Sequence, residues 1–254
     1  MHPDKLFSLK DKLIVITGAS SGIGKATAIL CSQLGARIVL IARNKEKLQD
    51  VYGELTGEGH SVVSFDVTDL AGITDAVKNI VSASGKISGF VHSAGIRKTL
   101  PLRINKPEKM LQILSVNFTA AFEFVRIISK KAFSEDSSSF VLISSIMGVV
   151  GEVGLSSYCA SKGALISGSR ALALELVARK QRVNCISPAM VQTEMLTREF
   201  AALSKEKIES IEGSHPLGFG TPADIAYSAV FLLSNASKWI TGTNLIVDGG
   251  YSAR

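Results

Sequence analysis

The chain has 254 residues, of which 46% are hydrophobic and 20% charged, with a formal net charge of +6. That size buries a substantial core, and the composition excludes disordered and fibrous classes. The basic residues are scattered in small groups such as Lys130-Lys131 and Arg179-Lys180, so no nucleic-acid partner is expected.

The opening MHPDKLFSLKDK is charged and lacks the apolar centre of a secretory leader, and no apolar run reaches the length of a membrane span. A cytoplasmic protein without membrane attachment is therefore expected. The first strand, KLIVIT, leads into TGASSGIG, whose Gly22 opens a helix. RIVLIA is followed by a helix from Lys45, SVVSF by one from Asp69, and GFVHSA by a long one near Glu108. The Ser-rich EDSSS at 135–139 reads as a turn. FVLIS then precedes a helix carrying YCASK, RVNCIS precedes a helical region near 193–211, another helix starts at Pro222, and NLIVD is the last strand. This alternation predicts an α/β fold, one domain over residues 1–254, with a parallel sheet covered by helices on both faces. The nearly continuous Val, Ile and Leu of the strands fits burial on both sides.

Cys31, Cys159 and Cys185 form no C-x-x-C pair and are expected to be reduced and buried. His2, His60, His92 and His215 are dispersed, so neither a metal site nor a Ser-His-Asp triad has local support. Two clusters do carry chemistry. Gly18, Gly22 and Gly24 lie between a strand and a helix, where a tight backbone and free helix N-terminal amides suit a pyrophosphate. In YCASK, Tyr158 and Lys162 stand one helical turn apart on one face. A free tyrosine, with a pKa of about 10, is a poor base near neutrality, but a neighbouring ammonium favours the phenolate.

With G-x-x-x-G-x-G after the first strand and Y-x-x-x-K downstream, the chain resembles the short-chain dehydrogenase/reductase family over essentially its whole length. The resemblance implies a Rossmann-type doubly wound sheet of about seven strands, a nicotinamide cofactor, and catalysis by Asn117, Ser145, Tyr158 and Lys162. Ser145 stands 13 residues before Tyr158, the family's usual separation, and its neighbour Ser144 should face the other way as a structural residue. In these roles Tyr158 exchanges a proton with the substrate oxygen, Ser145 donates a hydrogen bond to it, Lys162 also holds the nicotinamide ribose, and Asn117 anchors a proton-conducting water chain. Substrate contact thus falls to Ser145 and Tyr158. The resemblance assigns cofactor contacts to Gly18, Ser20, Ser21, Gly22, Ile23 and Gly24, to Asp66 and Val67 at the adenine, and to Ser93, Ala94 and Gly95. Pro188, Val191 and Thr193 complete them, together with Tyr158 and Lys162. Two places depart from the pattern: His92-Ser93 replaces Asn-Asn, so that Ser93 must stand in for a strand-tying asparagine, and Ala189 replaces a glycine after Pro188.

The second strand ends in Ala42-Arg43 where NAD-binding sites carry an acid. A guanidinium there suits a 2′-phosphate, so NADP(H) is expected over NAD(H). Within the family the layout looks most like 3-oxoacyl-carrier-protein reductases, which makes an acyl-carrier-linked carbonyl the first expectation. A sugar, polyol or other small ketone is the alternative, because Glu135 and Asp136 occupy one basic docking position of those reductases while Arg179 keeps the second. A non-catalytic sensor of NADP(H) is the reading of a different class. Residues 194–215 read as a lid over the substrate. The long helices at 108–131 and 158–178 are apolar on more than one stripe, from which a homotetramer or homodimer is expected.

Overall fold

The computed structural model describes residues 6–253, apart from residue 202 and the side chain of residue 199, so the first five residues, His2 among them, lie outside it. The strands are β1 (Leu13–Thr17), β2 (Arg37–Ala42), β3 (Ser61–Ser64), β4 (Ile87–His92), β5 (Ser134–Ile143), β6 (Arg182–Pro188) and β7 (Asn244–Val247). All pair in parallel, in the order β3-β2-β1-β4-β5-β6-β7.

Period-two alternation sorts each apolar strand between two cores. Leu13 and Val15 of β1 face Phe90, Phe140 and Leu142 together with α3 (Ile73–Ser84), α5 (Ala120–Ile128) and α6 (Ser156–Leu176). Ile14 and Ile16 face the other way, onto α1 (Gly22–Gln33), α2 (Lys45–Tyr52) and α9 (Pro222–Leu233). The start of α9 is legible in TPAD: Thr221 and Asp224 form a reciprocal capping box, with Pro222 in the first turn. Cys31 and Cys185 are buried, Cys159 is half-buried, and all three are free thiols.

Three expectations change. EDSSS belongs to β5, which starts at Ser134 and pairs with Ile87 before a register shift, with Ser137 left-handed at φ 66°. The reason is that Gln181 and Arg179 hydrogen-bond to Ser134 and hold the polar segment against the sheet. The helical region expected near 193–211 divides into two helices, α7 (Glu194–Phe200) and α8 (Lys205–Glu212), the second begun by a Ser204 cap. The long helix near Glu108 is α4 (Pro107–Leu114) running through a π-helical segment, Ser115–Thr119, into α5. This 22-residue stretch is long and apolar enough to cross a membrane by length and composition, contrary to the reading of the runs alone. Here it packs into the core through Ile113, Ala121, Phe124 and Ile128.

Strand order reverses between β1 and β4, which opens a crevice beyond their carboxyl ends. Most of the residues expected to bind the cofactor or act on the substrate collect there.

Candidate active site

One cleft of about 1030 Å³ is lined by Gly18, Ser20, Ser21, Gly22, Ile23, Arg43, Asp66, Val67, Ser93, Ala94 and Gly95, and by Ser145, Tyr158, Lys162, Pro188, Val191 and Thr193. Of the residues expected to act, Asn117 and Gly24 lie behind this surface.

The glycine loop works differently at each glycine. Gly18 has φ 67°, and a Cβ there would meet the Ala94 amide nitrogen at 2.6 Å; one at Gly24 would lie 2.3 Å from the Gly18 carbonyl oxygen. These two allow backbone to pack on backbone rather than on a ligand. Gly22, at φ 53°, faces Thr193 across the cleft. The first turn of α1 has neither a side-chain cap nor an acidic residue, so its amides and its positive dipole end suit an anionic pyrophosphate.

At the end expected to hold the adenosine, Asp66 accepts from the Thr68 amide at 2.9 Å and the Thr68 hydroxyl at 2.8 Å. These bonds hold its carboxyl below the usual range, assisted weakly by Arg43. Because α3 starts only at Ile73, Asp66 makes a local turn rather than a helix cap, and its second oxygen stays on the cleft side, 4.0 Å from Arg43. The Arg43 side chain is 77% exposed and can reorient toward a phosphate. Lys47, which the sequence reading passed over, lines the same wall and reaches Glu194 of α7 at 3.2 Å. Its signal was its place one turn beyond Arg43.

The end that holds the residues expected to be catalytic is built on the junction of β5 and α6. Lys162 is 4% exposed, and its ammonium donates to the Ile143 carbonyl at 2.7 Å. Burial brings its pKa down to about 8, with Cys185 opposing the fall. Its Nζ lies 5.8 Å from the centre of the Tyr158 ring. The Ser144 hydroxyl donates to the Lys162 carbonyl at 2.8 Å, pinning α6 to β5, which is the structural role expected of it. Ser145 Oγ accepts from the Met147 amide at 3.2 Å, so its own proton points to other acceptors.

Asn117 occupies the π-helical segment, where the extra residue per turn moves it out of ordinary register. It is fully buried and clamps the loop after β4: Oδ1 accepts from the Ile96 amide at 2.8 Å, and Nδ2 donates to the Ile96 carbonyl and to Ser161 Oγ, both at 3.0 Å. A Cβ at Gly95 would lie 3.5 Å from both Asn117 Oδ1 and Lys162 Nζ, which places these groups on one side of that loop. Its amide is thus committed to loop architecture.

The side-chain strand tie does not pass to Ser93, whose backbone amide donates to the Thr17 carbonyl at 3.2 Å. Thr17 and His92 make it, through a 3.0 Å bond between Thr17 Oγ1 and His92 Nδ1, while His92 Nε2 meets the Val116 carbonyl at 3.2 Å. Burial, with the charge of Lys162 adding to it, pushes the His92 imidazole down to about 3, so it stays neutral. Val191 bridges Gly220, and the Thr193 hydroxyl accepts from the Leu196 amide at the start of α7, which fixes the wall opposite the glycines. Beyond Ser145 and Tyr158 the wall includes Ser214 and His215, at the end of the segment expected to cover the substrate, and Arg97, Glu152 and Tyr251, which sequence alone does not place here. Loop residues far apart in sequence gave it no period to follow.

A family model described as enoyl-(acyl carrier protein) reductase matches residues 18–252. The chain is 36% identical over 241 residues to the 3-oxoacyl-[acyl-carrier-protein] reductase of Bos taurus, covering 94% of this chain and 98% of that protein. It is 33% identical over 252 residues to the NAD-dependent glycerol dehydrogenase of Listeria innocua, covering 99% and 98%. Among solved structures, a dehydrogenase/reductase from Sinorhizobium meliloti superposes with a TM-score of 0.90 at 30% identity, covering 98% of each chain. The chain belongs to the short-chain dehydrogenase/reductase family and is an oxidoreductase of the CH-OH/C=O type that uses a nicotinamide cofactor.

Proposed function

We propose that the protein interconverts a ketone and its alcohol with NADP(H), using Tyr158, Lys162 and Ser145 at the reacting oxygen and Asn117 as the clamp that shapes the site. The nicotinamide ring supplies or accepts the hydride. Tyr158 gives a proton to the carbonyl oxygen in the reducing direction and takes it back in the other. Lys162, held by the Ile143 carbonyl, keeps a positive charge near that phenol, which lowers the cost of its anionic form. Ser145, with an oxygen lone pair already engaged by the Met147 amide, has its proton available for the substrate oxygen as charge develops there.

The observation that carries this reading is the single cleft shared by the glycine loop and these three side chains. The test is loss of reduced-cofactor absorbance with a panel of ketones, in the parent protein and in Tyr158→Phe. Tight cofactor binding without turnover of any carbonyl compound would favour the sensor reading instead. Preference for NADP(H) rests on Arg43 and on Ala42 in place of an acid; the NAD-dependent Listeria relative is the counterweight.

For the substrate, the geometry supports a small polar ketone, of sugar or polyol type, better than a carrier-bound acyl chain. Arg179 at the docking position is committed internally: it pairs with Asp136 at 2.7 Å and donates to the Ser129 and Ser134 carbonyls. The substrate wall is polar at Arg97, Glu152, Ser214 and His215. The 3-oxoacyl thioester reading keeps the support of the bovine relative. Comparing the two substrate types with NADPH separates them. Assembly as a homotetramer or homodimer belongs to the same proposal, supported by exposed Leu102 and Leu111 near α4 and Leu174 on α6, and light scattering in solution tests it.

A further inference from the structure

The substrate wall contains a buried polar atom to which the roles above give no task. His215 is 5% exposed, follows α8, and lines the cleft that holds Ser145 and Tyr158. Its Nδ1 lies 2.9 Å from the Ile211 carbonyl oxygen. A carbonyl can only accept, so Nδ1 carries a proton and, in the neutral ring, Nε2 presents a bare lone pair. The Ser214 hydroxyl donates to the same carbonyl at 2.6 Å and stands 3.2 Å from Nδ1, which is consistent with that tautomer. Nε2 has no hydrogen-bond partner among the described residues and is screened from solvent.

The ring is gripped by aromatic neighbours, with Tyr251 at 4.8 Å and Phe219 at 5.1 Å between centres. Tyr251 packs on the small cluster of Ile146, Met147 and Leu155, against which Tyr158 also packs. His215 therefore stands one ring away from the apolar cluster of the catalytic tyrosine. A buried acceptor without a donor is destabilising, and that cost disappears when a bound molecule supplies the donor.

We propose that His215 determines specificity by accepting, at Nε2, a hydrogen bond from a hydroxyl of the substrate, so that the protein selects hydroxylated ketones over the same ketones without the hydroxyl. The proposal rests on the carbonyl-reducing reading above and narrows it. Because Nε2 is screened from bulk water, the donor comes from a molecule seated in the cleft, with the ring or Tyr251 yielding to admit it. A site built around a polar contact rejects analogues lacking the partner far more sharply than an apolar pocket rejects a missing methylene.

The test uses NADPH and 2-pentanone beside its 1-, 3-, 4- and 5-hydroxy derivatives. The parent protein is expected to favour at least one hydroxy derivative about 10- to 100-fold in kcat/KM. His215→Phe should bring that ratio near one, whatever it does to the rate on 2-pentanone itself. The absence of any hydroxyl preference in the parent, or its survival in His215→Phe, overturns the proposal. If no ketone is reduced, the carbonyl-reducing reading fails by itself, and a second measurement still decides this one. In parent protein carrying ¹⁵N-histidine with NADP⁺ bound, Nε2 of His215 should shift on addition of a hydroxy ketone and not on addition of 2-pentanone. No selective shift overturns the proposal, and the same measurement covers the case in which the Phe variant does not fold.

Discussion

Replacing Lys162 by methionine separates the price of the buried ammonium from its use. Burial takes this lysine from its ordinary 10.5 to about 8. At roughly 1.4 kcal/mol for each pH unit, folding with the ammonium charged costs about 3 kcal/mol at neutral pH. Below pH 8 the folded and unfolded chains both hold the proton, and the full cost applies. Between pH 8 and 10.5 the unfolded chain still holds a proton that the folded chain has lost, so stability rises with pH by about 3 kcal/mol. Lys162→Met has no such titration, but it leaves the Ile143 carbonyl without its 2.7 Å donor, a loss of about 1–3 kcal/mol. The two proteins should therefore unfold at similar urea concentrations at pH 7, and the parent should gain about 3 kcal/mol on the variant by pH 10.5. Urea unfolding followed by circular dichroism at fixed protein concentration gives the difference, in which titrations common to both chains, such as the Cys31 thiol, largely cancel. Turnover should fall about 10²- to 10⁴-fold at every pH. A stability difference that does not change with pH would refute the reasoning.

Arg43→Ala should raise KM for NADPH about 10- to 100-fold, the loss expected for a charged hydrogen bond, and change KM for NADH less than threefold; equal effects contradict the cofactor preference. Gly18→Ala places a Cβ 2.6 Å from the Ala94 amide at φ 67°, so urea unfolding should show a loss of about 2 kcal/mol or more. Gly151→Ala, where nothing lies within 4 Å, serves as its control. Arg179→Ala should lower the melting temperature by releasing the Ser129 and Ser134 carbonyls, and KM for a 3-oxoacyl-carrier thioester should change no more than KM for a small ketone. A selective rise for the thioester would restore the docking role.

The alternation of apolar strands with helix-length segments, the glycines after β1 and the Tyr158–Lys162 spacing were legible because each is a local pattern with a period or a fixed position. What stayed hidden is long-range or irregular. The π-helical register of Asn117 reads as ordinary helix in sequence, and the Thr17–His92 tie joins residues 75 positions apart. EDSSS looks like a turn because its polarity signals one, yet Arg179 and Gln181 hold it in the sheet. His215 and Tyr251 meet only because the segments following α8 and β7 converge on the cleft.

The central claim is that the Tyr158 hydroxyl moves the proton. Single-turnover oxidation of bound NADPH by a reactive ketone in Tyr158→Phe, with cofactor affinity measured on the same sample, tests it most directly. The account expects a rate lower by about 10²- to 10⁴-fold at unchanged affinity; a folded variant that still oxidises NADPH at the parent rate would contradict it.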